Sequence, residues 1–382
     1  MIYLDNAATS FPKPKRVIDA VVRYLAEIGG NPGRAAHGPA RQASHIIDRA
    51  RRLLATLLGN VDPTRVIFTP STTIALNVAL KGLLKSGDHV LISSMEHNSV
   101  LRPLHRLQKN GITYSQIPGS PTGELDPRAI QPLIRPHTRL IALLHASNVT
   151  GYVMPIAEVG KIAQEHGLLF LVDAAQTMGK MVIDPSQLHI DLLAGPGHKG
   201  LLGPMGTGFL YVRPGLELES LWEGGTGTRS ESQKQPETWP ERFESGTYNA
   251  PGIAGLAEGM AEVQKLGLEA IATHEANLIK ILVQGLSQFP EVTLYGPHDR
   301  TACTGTLAFN VQEIDCTEVA HILDTAYSIA VRSGLHCAPA AHRTIGTFPH
   351  GAVRVSVGPY NTEEEIHTLI EAVSEIVRFK SK

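Results

Sequence analysis

Several short stretches of this chain are apolar almost throughout and lack the polar alternation of a half-exposed strand: Val66–Thr69, Val90–Ser93, Leu140–Ala146 and Leu168–Asp173. A strand that is apolar on both faces must be covered on both faces, which parallel sheets achieve with crossover helices. The intervening segments supply them. Thr72–Leu84, Ser99–Lys109, a stretch near Pro127–Ile134 and Ile156–His166 carry helical spacing, and Ile112–Ile117 reads as a further strand. Two helices come before the alternation, Pro14–Ile28 ending at Gly29-Gly30 and Ala43–Leu58 ending at Gly59. From about Gly255 the pattern changes to a long helix (Leu256–Gln284), strands near Val292–Leu294, Gly305–Val311 and Ser328–Arg332, and helices at Thr317–Thr325 and Glu363–Val377. The expectation is an α/β chain with a large domain over 15–255 and a smaller α+β domain over 256–382, with residues 1–14 packing beside the latter.

Charge narrows the function. The 382 residues hold 34 Lys and Arg against 36 Asp and Glu, a formal charge of −2. Surfaces for nucleic acid or anionic membrane need a basic excess, so neither partner is expected. The N-terminus MIYLDNAATSFPKPK has no basic start followed by an apolar run, and no apolar stretch nears the roughly 20 residues of a membrane span. A cytoplasmic location is the expectation. The segment Trp222–Pro240, rich in Gly, Thr, Ser, Gln and Pro, reads as a long loop.

In an open α/β sheet, ligands bind beyond the carboxyl ends of the strands. Five polar groups follow the expected strands: Ser71-Thr72-Thr73, Glu96-His97-Asn98, Ser147-Asn148, Asp173 with Gln176, and His198-Lys199. Each alone has an ordinary explanation as a helix cap or surface residue; five in succession do not. No GxGxxG opens the first βα unit, and Gly203-Pro-Met-Gly-Thr-Gly precedes a strand instead of a helix. No P-loop occurs either. Pyridoxal phosphate accounts for the whole set. Its aldehyde requires a lysine (Lys199), and its pyridine nitrogen a buried carboxylate (Asp173). A ring should cover its face (His97), and donors should hold its phenolic oxygen (Asn148, Gln176). Its phosphate suits a helix N-terminus with hydroxyls (Thr72, Thr73).

These residues, with YLDNAATS (Tyr3–Ser10), Arg242-Phe-Glu-Ser-Gly-Thr247, Arg332-Ser-Gly-Leu-His-Cys337-Ala and Arg354-Val-Ser, form an ordered set along the chain. In them the chain resembles the class V aminotransferase family, and within it the cysteine desulfurases and selenocysteine lyase-like enzymes. The resemblance implies a fold-type I pyridoxal-phosphate enzyme that converts L-cysteine to L-alanine. It further implies that Thr73 and His198 bind phosphate, that Thr226 reaches the phosphate of a second protomer in a homodimer, and that Arg354 clamps the substrate carboxylate. Asn6, Ala7, Ala8 and His37 would line the substrate side. One departure stands out: relatives place a serine or threonine two residues before the histidine, where this chain has Pro196.

The chain has three cysteines, Cys303, Cys316 and Cys337, too few for a disulfide framework and without the spacing of a zinc site. By the resemblance, Cys337 accepts the sulfur as a persulfide and passes it to an acceptor protein; Cys303 and Cys316, beside apolar stretches and outside any motif, read as core residues. His97 would relay a proton at the leaving sulfur. Selenocysteine is a second expected substrate, and transamination, β-elimination and epimerisation are the competing reactions. Iron–sulfur cluster assembly is the commonest role in the family. No metal site is expected, including at Cys337 with His336 and His342.

Overall fold

The computed structural model describes residues 1–33 and 36–380. Strand β1 (Ile2–Tyr3) is followed by helices α1 (Lys15–Arg23) and α2 (Gly38–Leu57). The alternation then runs β2 (Val66–Thr69), α3 (Thr72–Leu83), β3 (His89–Ser93), α4 (Asn98–Leu107), β4 (Thr113–Ile117), β5 (Thr138–Leu144), α5 (Ile156–Glu165) and β6 (Leu169–Asp173). Strands β7 (Leu192–Pro196) and β8 (Gly208–Val212) complete a seven-stranded sheet of order β2-β8-β7-β6-β5-β3-β4. All its pairings are parallel except the two made by β8.

The continuous apolar runs have the burial they require. Along β5, Leu140 and Ala142 point into one core, and Ile141 and Leu143 into the core on the opposite face. Each large side chain so buried contributes about 1.5–3 kcal/mol relative to exposure. Polar alternation would have placed half of them in water.

Helices α6 (Ala250–Leu266) and α7 (Leu268–Leu286) lead into the C-terminal part. There β9 (Val292–Tyr295), β10 (Thr306–Val311), β12 (Arg332–Gly334) and β13 (Ala352–Ser356) form an antiparallel sheet of order β12-β13-β10-β9. Helix α8 (Cys316–Tyr327), strand β11 (Ile329–Ala330), helix α9 (Pro339–Thr344) and helix α10 (Glu363–Lys380) complete the chain. A third core joins Leu278, Phe309, Val353 and Ile366, and it includes Leu4 from the N-terminal segment. That segment is stitched in by β1 pairing with β11 and by Asp5 bridging to Ser356.

Three elements differ from expectation. The single helix over 256–284 is two, because Gly267 adopts φ +86°, a backbone an L residue disfavours. It also starts earlier, at Ala250, where the Asn249 side chain accepts from the Gly252 amide. The stretch 127–134 forms only two short 3₁₀ turns, since Pro132 removes an amide that a continuous helix would use. The strand expected over 328–332 is split between two sheets, with Ile329–Ala330 on β1 and Arg332–Gly334 on β13. Among the described residues, no helix is long and apolar enough to cross a membrane.

Candidate active site

The ends of β3, β5, β6 and β7 and the start of α3 enclose a cleft. Thr72, Thr73, His97, Asn148, Asp173, Gln176, His198 and Lys199 all line it. They meet because each follows a strand at the same edge of the sheet. The turn after β7 is tight. The Gly203 amide donates to Gly197 O at 2.7 Å, and a Cβ on Gly197 would lie 2.2 Å from Thr207 Oγ1.

The electrostatics are those of a desolvated pocket. Burial, with Arg354 nearby, lowers the Lys199 amine to about 8. Burial raises Asp173 to about 6, against the Ala175 amide, which donates to its Oδ1 at 2.9 Å, and the attraction of Lys199. His97 caps α4, its Nδ1 accepting from the Ser99 amide at 3.0 Å. Burial first, then Lys199 and three arginines, push His97 down to about 4. It is therefore neutral near pH 7, with its proton on Nε2.

A chain of hydroxyls adjoins it: Ser99 Oγ lies 2.9 Å from His97 Nδ1, and Thr73 Oγ1 lies 2.8 Å from Ser99 Oγ. The Ser99 hydroxyl proton points to the imidazole nitrogen, so the Thr73 hydroxyl donates to Ser99. Thr72 is different: its Oγ1 is buried and has no partner among the described residues. A free hydroxyl is thus present at the helix start although Pro196 supplies none.

In and beside the cleft, His198 Nδ1, Asn148 Oδ1 and Arg354 Nε are likewise among the buried atoms that find no partner among the described residues. The amide nitrogens of Asn148 and Gln176 donate to His336 O at 2.8 Å and Ala7 O at 3.2 Å, which leaves one hydrogen on each. Unsatisfied atoms of this kind are costly unless a ligand meets them. An amine, a carboxylate and an imidazole beside a helix start with a free hydroxyl fit the aldehyde, ring nitrogen, ring face and phosphate of pyridoxal phosphate.

Arg354 lies beside the cleft. Its Nη1 donates to Asn148 O at 3.0 Å, and its Nη2 to Asp5 Oδ1 at 2.6 Å. Burial lowers its pKa and Asp5 opposes that shift. Cys337 is exposed at the rim, its Sγ 3.8 Å from Arg332 Nη2 and its carbonyl accepting from the Asn98 amide at 2.8 Å.

The remaining expected residues are placed otherwise. The Asn6 side chain is committed to the fold, donating to Ser356 O and Asn361 Oδ1 and accepting from the Phe11 amide. Ala7 contributes its carbonyl to Gln176, while the Ala8 amide closes a turn onto Asp5 O. His37 is exposed and caps α2 through Nδ1. Thr226 stands in the loop 222–240 and bonds Thr228, away from its own chain's cleft. Cys316 is buried against His350 O, and Cys303 is half-buried beside Arg300.

Glu96 precedes His97 in its motif without a role of its own there, and its environment is distinctive. Its Oε1 accepts from Ser93 Oγ at 2.5 Å and from the Leu144 amide at 3.0 Å, tying the ends of β3 and β5. Burial raises it to about 8 from 4.5. Between those values the unfolded chain ionises and the folded one does not, so stability present at low pH is lost as pH rises. Asp173 adds the same sign between 3.8 and about 6. Buried histidines such as His97 and His342, held near 4, act with the opposite sign below 6.5, so the difference carries the test: cofactor-free Glu96→Gln should gain melting temperature on the parent as pH rises from about 5 to about 8. An unchanged slope in this variant would exclude a buried neutral acid.

Known proteins resemble this chain over nearly its whole length. The family model described as Aminotransferase class-V matches residues 2–369. A probable cysteine desulfurase of Methanothermobacter thermautotrophicus is 37% identical over 98% of this chain and 94% of its own length. A cysteine desulfurase of Salmonella choleraesuis is 34% identical over 99% and 94%. The apo structure of a cysteine desulfurase from Thermococcus onnurineus superposes with a TM-score of 0.93 at 36% identity, covering 99% of this chain and 94% of that one. With a family match along nearly its whole length and a cleft built for the family's cofactor, this chain belongs to the class V aminotransferases.

Proposed function

We propose that this protein is a pyridoxal-phosphate-dependent cysteine desulfurase that converts L-cysteine to L-alanine and takes the sulfur onto Cys337. The observation that carries the reading is the placement of an exposed thiol on a loop held by the cleft itself, through Asn98 and Asn148. When bound, the cofactor supplies an electron sink for negative charge at the substrate Cα.

The residues divide the remaining work. Asp173 would pair with the ring nitrogen, His97 would cover the ring, and Asn148 and Gln176 would turn their remaining amide hydrogens to the phenolic oxygen. Thr72, Thr73 and His198 would hold the phosphate. Lys199 would carry the cofactor and move the Cα proton on its Nζ, a task suited to an amine lowered to about 8. Arg354, with Nε free and both Nη atoms braced, would take the substrate carboxylate. The Cys337 thiolate would attack the substrate sulfur. The S–S bond forms, the Cβ–S bond breaks, and Cβ takes a proton, so cysteine and Cys337–SH become alanine and Cys337–S–SH. No external oxidant or reductant enters. The exposure of Cys337 suits onward transfer to an acceptor protein, and the position of Thr226 outside its own cleft suits a homodimer in which it serves the second copy.

The test is to incubate cofactor-loaded protein with L-cysteine and a thiol reductant, and to measure alanine and sulfide. Equimolar products are expected. Pyruvate in place of alanine would mean β-elimination, and a keto acid without sulfide would mean transamination; either sinks the proposal.

A further inference from the structure

The loop that presents Cys337 has an unusual backbone. His336 and Cys337 are consecutive L residues at φ +49° and +56°, a conformation that neither favours. Something must hold it. Beneath the loop runs a line of buried hydrogen bonds. His336 Nε2 lies 3.3 Å from Arg332 O, His336 Nδ1 3.2 Å from His342 Nε2, and His342 Nδ1 2.6 Å from Thr347 Oγ1. The two rings stack at 5.3 Å with 24° between planes, and they are 3% and 0% exposed.

The end of the line fixes its polarity. Arg332 O can only accept, so His336 carries its proton on Nε2 and accepts at Nδ1. His342 must then donate from Nε2 and accept at Nδ1, and Thr347 donates. Burial pushes both imidazoles downward, His342 to about 4, so both are neutral near pH 7 and every link is satisfied. The line closes the loop onto its own strand β12, while Asn148 and Asn98 hold the carbonyls of His336 and Cys337 from the cleft side.

We propose that His342 is a positioning residue for Cys337: acting through His336, it fixes the left-handed pair that sets where the thiol is presented. The catalytic consequence rests on the reading that Cys337 accepts sulfur; the geometric one does not.

The experiment compares cofactor-loaded wild type, His342→Phe and His342→Gln. Phe keeps a ring but removes both nitrogens, whereas Gln can restore a donor toward His336 Nδ1. Two quantities are read: the alkylation rate of Cys337 by iodoacetamide, followed on its peptide, and kcat and KM for alanine formation. His342→Phe should shift the alkylation rate severalfold and lower kcat by roughly tenfold or more, with KM for cysteine and cofactor absorbance held. Gln should recover part of both. An unchanged alkylation rate in a folded, loaded His342→Phe protein would overturn the proposal, as would a Gln variant no nearer wild type than Phe. If His342→Phe does not fold, Thr347→Val removes only the last link; a smaller shift of the same sign is expected, and none overturns the proposal. A shifted alkylation rate together with no alanine from wild type would leave the positioning role intact and sink the desulfurase reading.

Discussion

Lys199→Ala should form alanine from L-cysteine at least roughly 10³-fold more slowly than the parent, because the variant loses both the cofactor's attachment and the group that moves the Cα proton. Lys199→Arg should be no better. A guanidinium stays protonated and can neither condense with the aldehyde nor accept a proton. The parent amine is poised for both tasks: desolvation and the neighbouring Arg354 and Arg332 favour its neutral form, against the attraction of Asp173. The rate at which cofactor-free protein acquires pyridoxal phosphate in a form that borohydride fixes should rise with pH and level off past about 8. Retained borohydride labelling in Lys199→Ala would remove Lys199 from its role, and a profile still rising toward 10.5 would remove the depressed amine.

The cleft was legible in the sequence because of how parallel sheets are wound. Each strand ends at the same edge, so the residues after β3, β5, β6 and β7 must meet there. Lys199, Asp173, His97, Asn148 and Gln176 could therefore be grouped before any contact was known. What stayed hidden depends on long-range pairing. Asp5 braces Arg354 from 349 positions away, and no local pattern marks it. Ser99 gains its meaning from lying between His97 and Thr73. Glu96 was visible only as part of a motif, since its burial and its bond to Leu144 come from packing β3 beside β5.

Local rules also misled where chain reversal or sheet choice intervened. Residues 328–332 look like one strand, yet Ser328 at φ +56° and the change of partner after Ala330 divide them between sheets. The same irregular region holds the His336–His342 line. No local pattern marks that line. The imidazoles bond each other.

Cys337→Ala should lower alanine formation from L-cysteine by about 10²-fold or more while cofactor uptake remains that of the parent, since this thiol is the expected nucleophile toward the substrate sulfur. Stability should change by no more than about 0.5 kcal/mol, because the side chain is exposed and Arg332 Nη2 lies as far as 3.8 Å from its Sγ. The other thiols provide the contrast. Cys316→Ala should cost about 1 kcal/mol of stability through its buried contacts yet leave turnover per folded molecule unchanged. Cys303 is half-buried with its thiol pushed up by burial, the wrong environment for a nucleophile. Selenocysteine sharpens the test. Selenium leaves carbon more readily than sulfur, so Cys337→Ala should retain a larger fraction of its activity on selenocysteine than on cysteine. Mass spectrometry of parent protein after brief exposure to cysteine should find one added sulfur on the Cys337 peptide and none on those of Cys303 and Cys316. Alanine formation from cysteine at the parent rate in Cys337→Ala would rule out sulfur transfer through this residue and leave elimination or transamination at the same cleft.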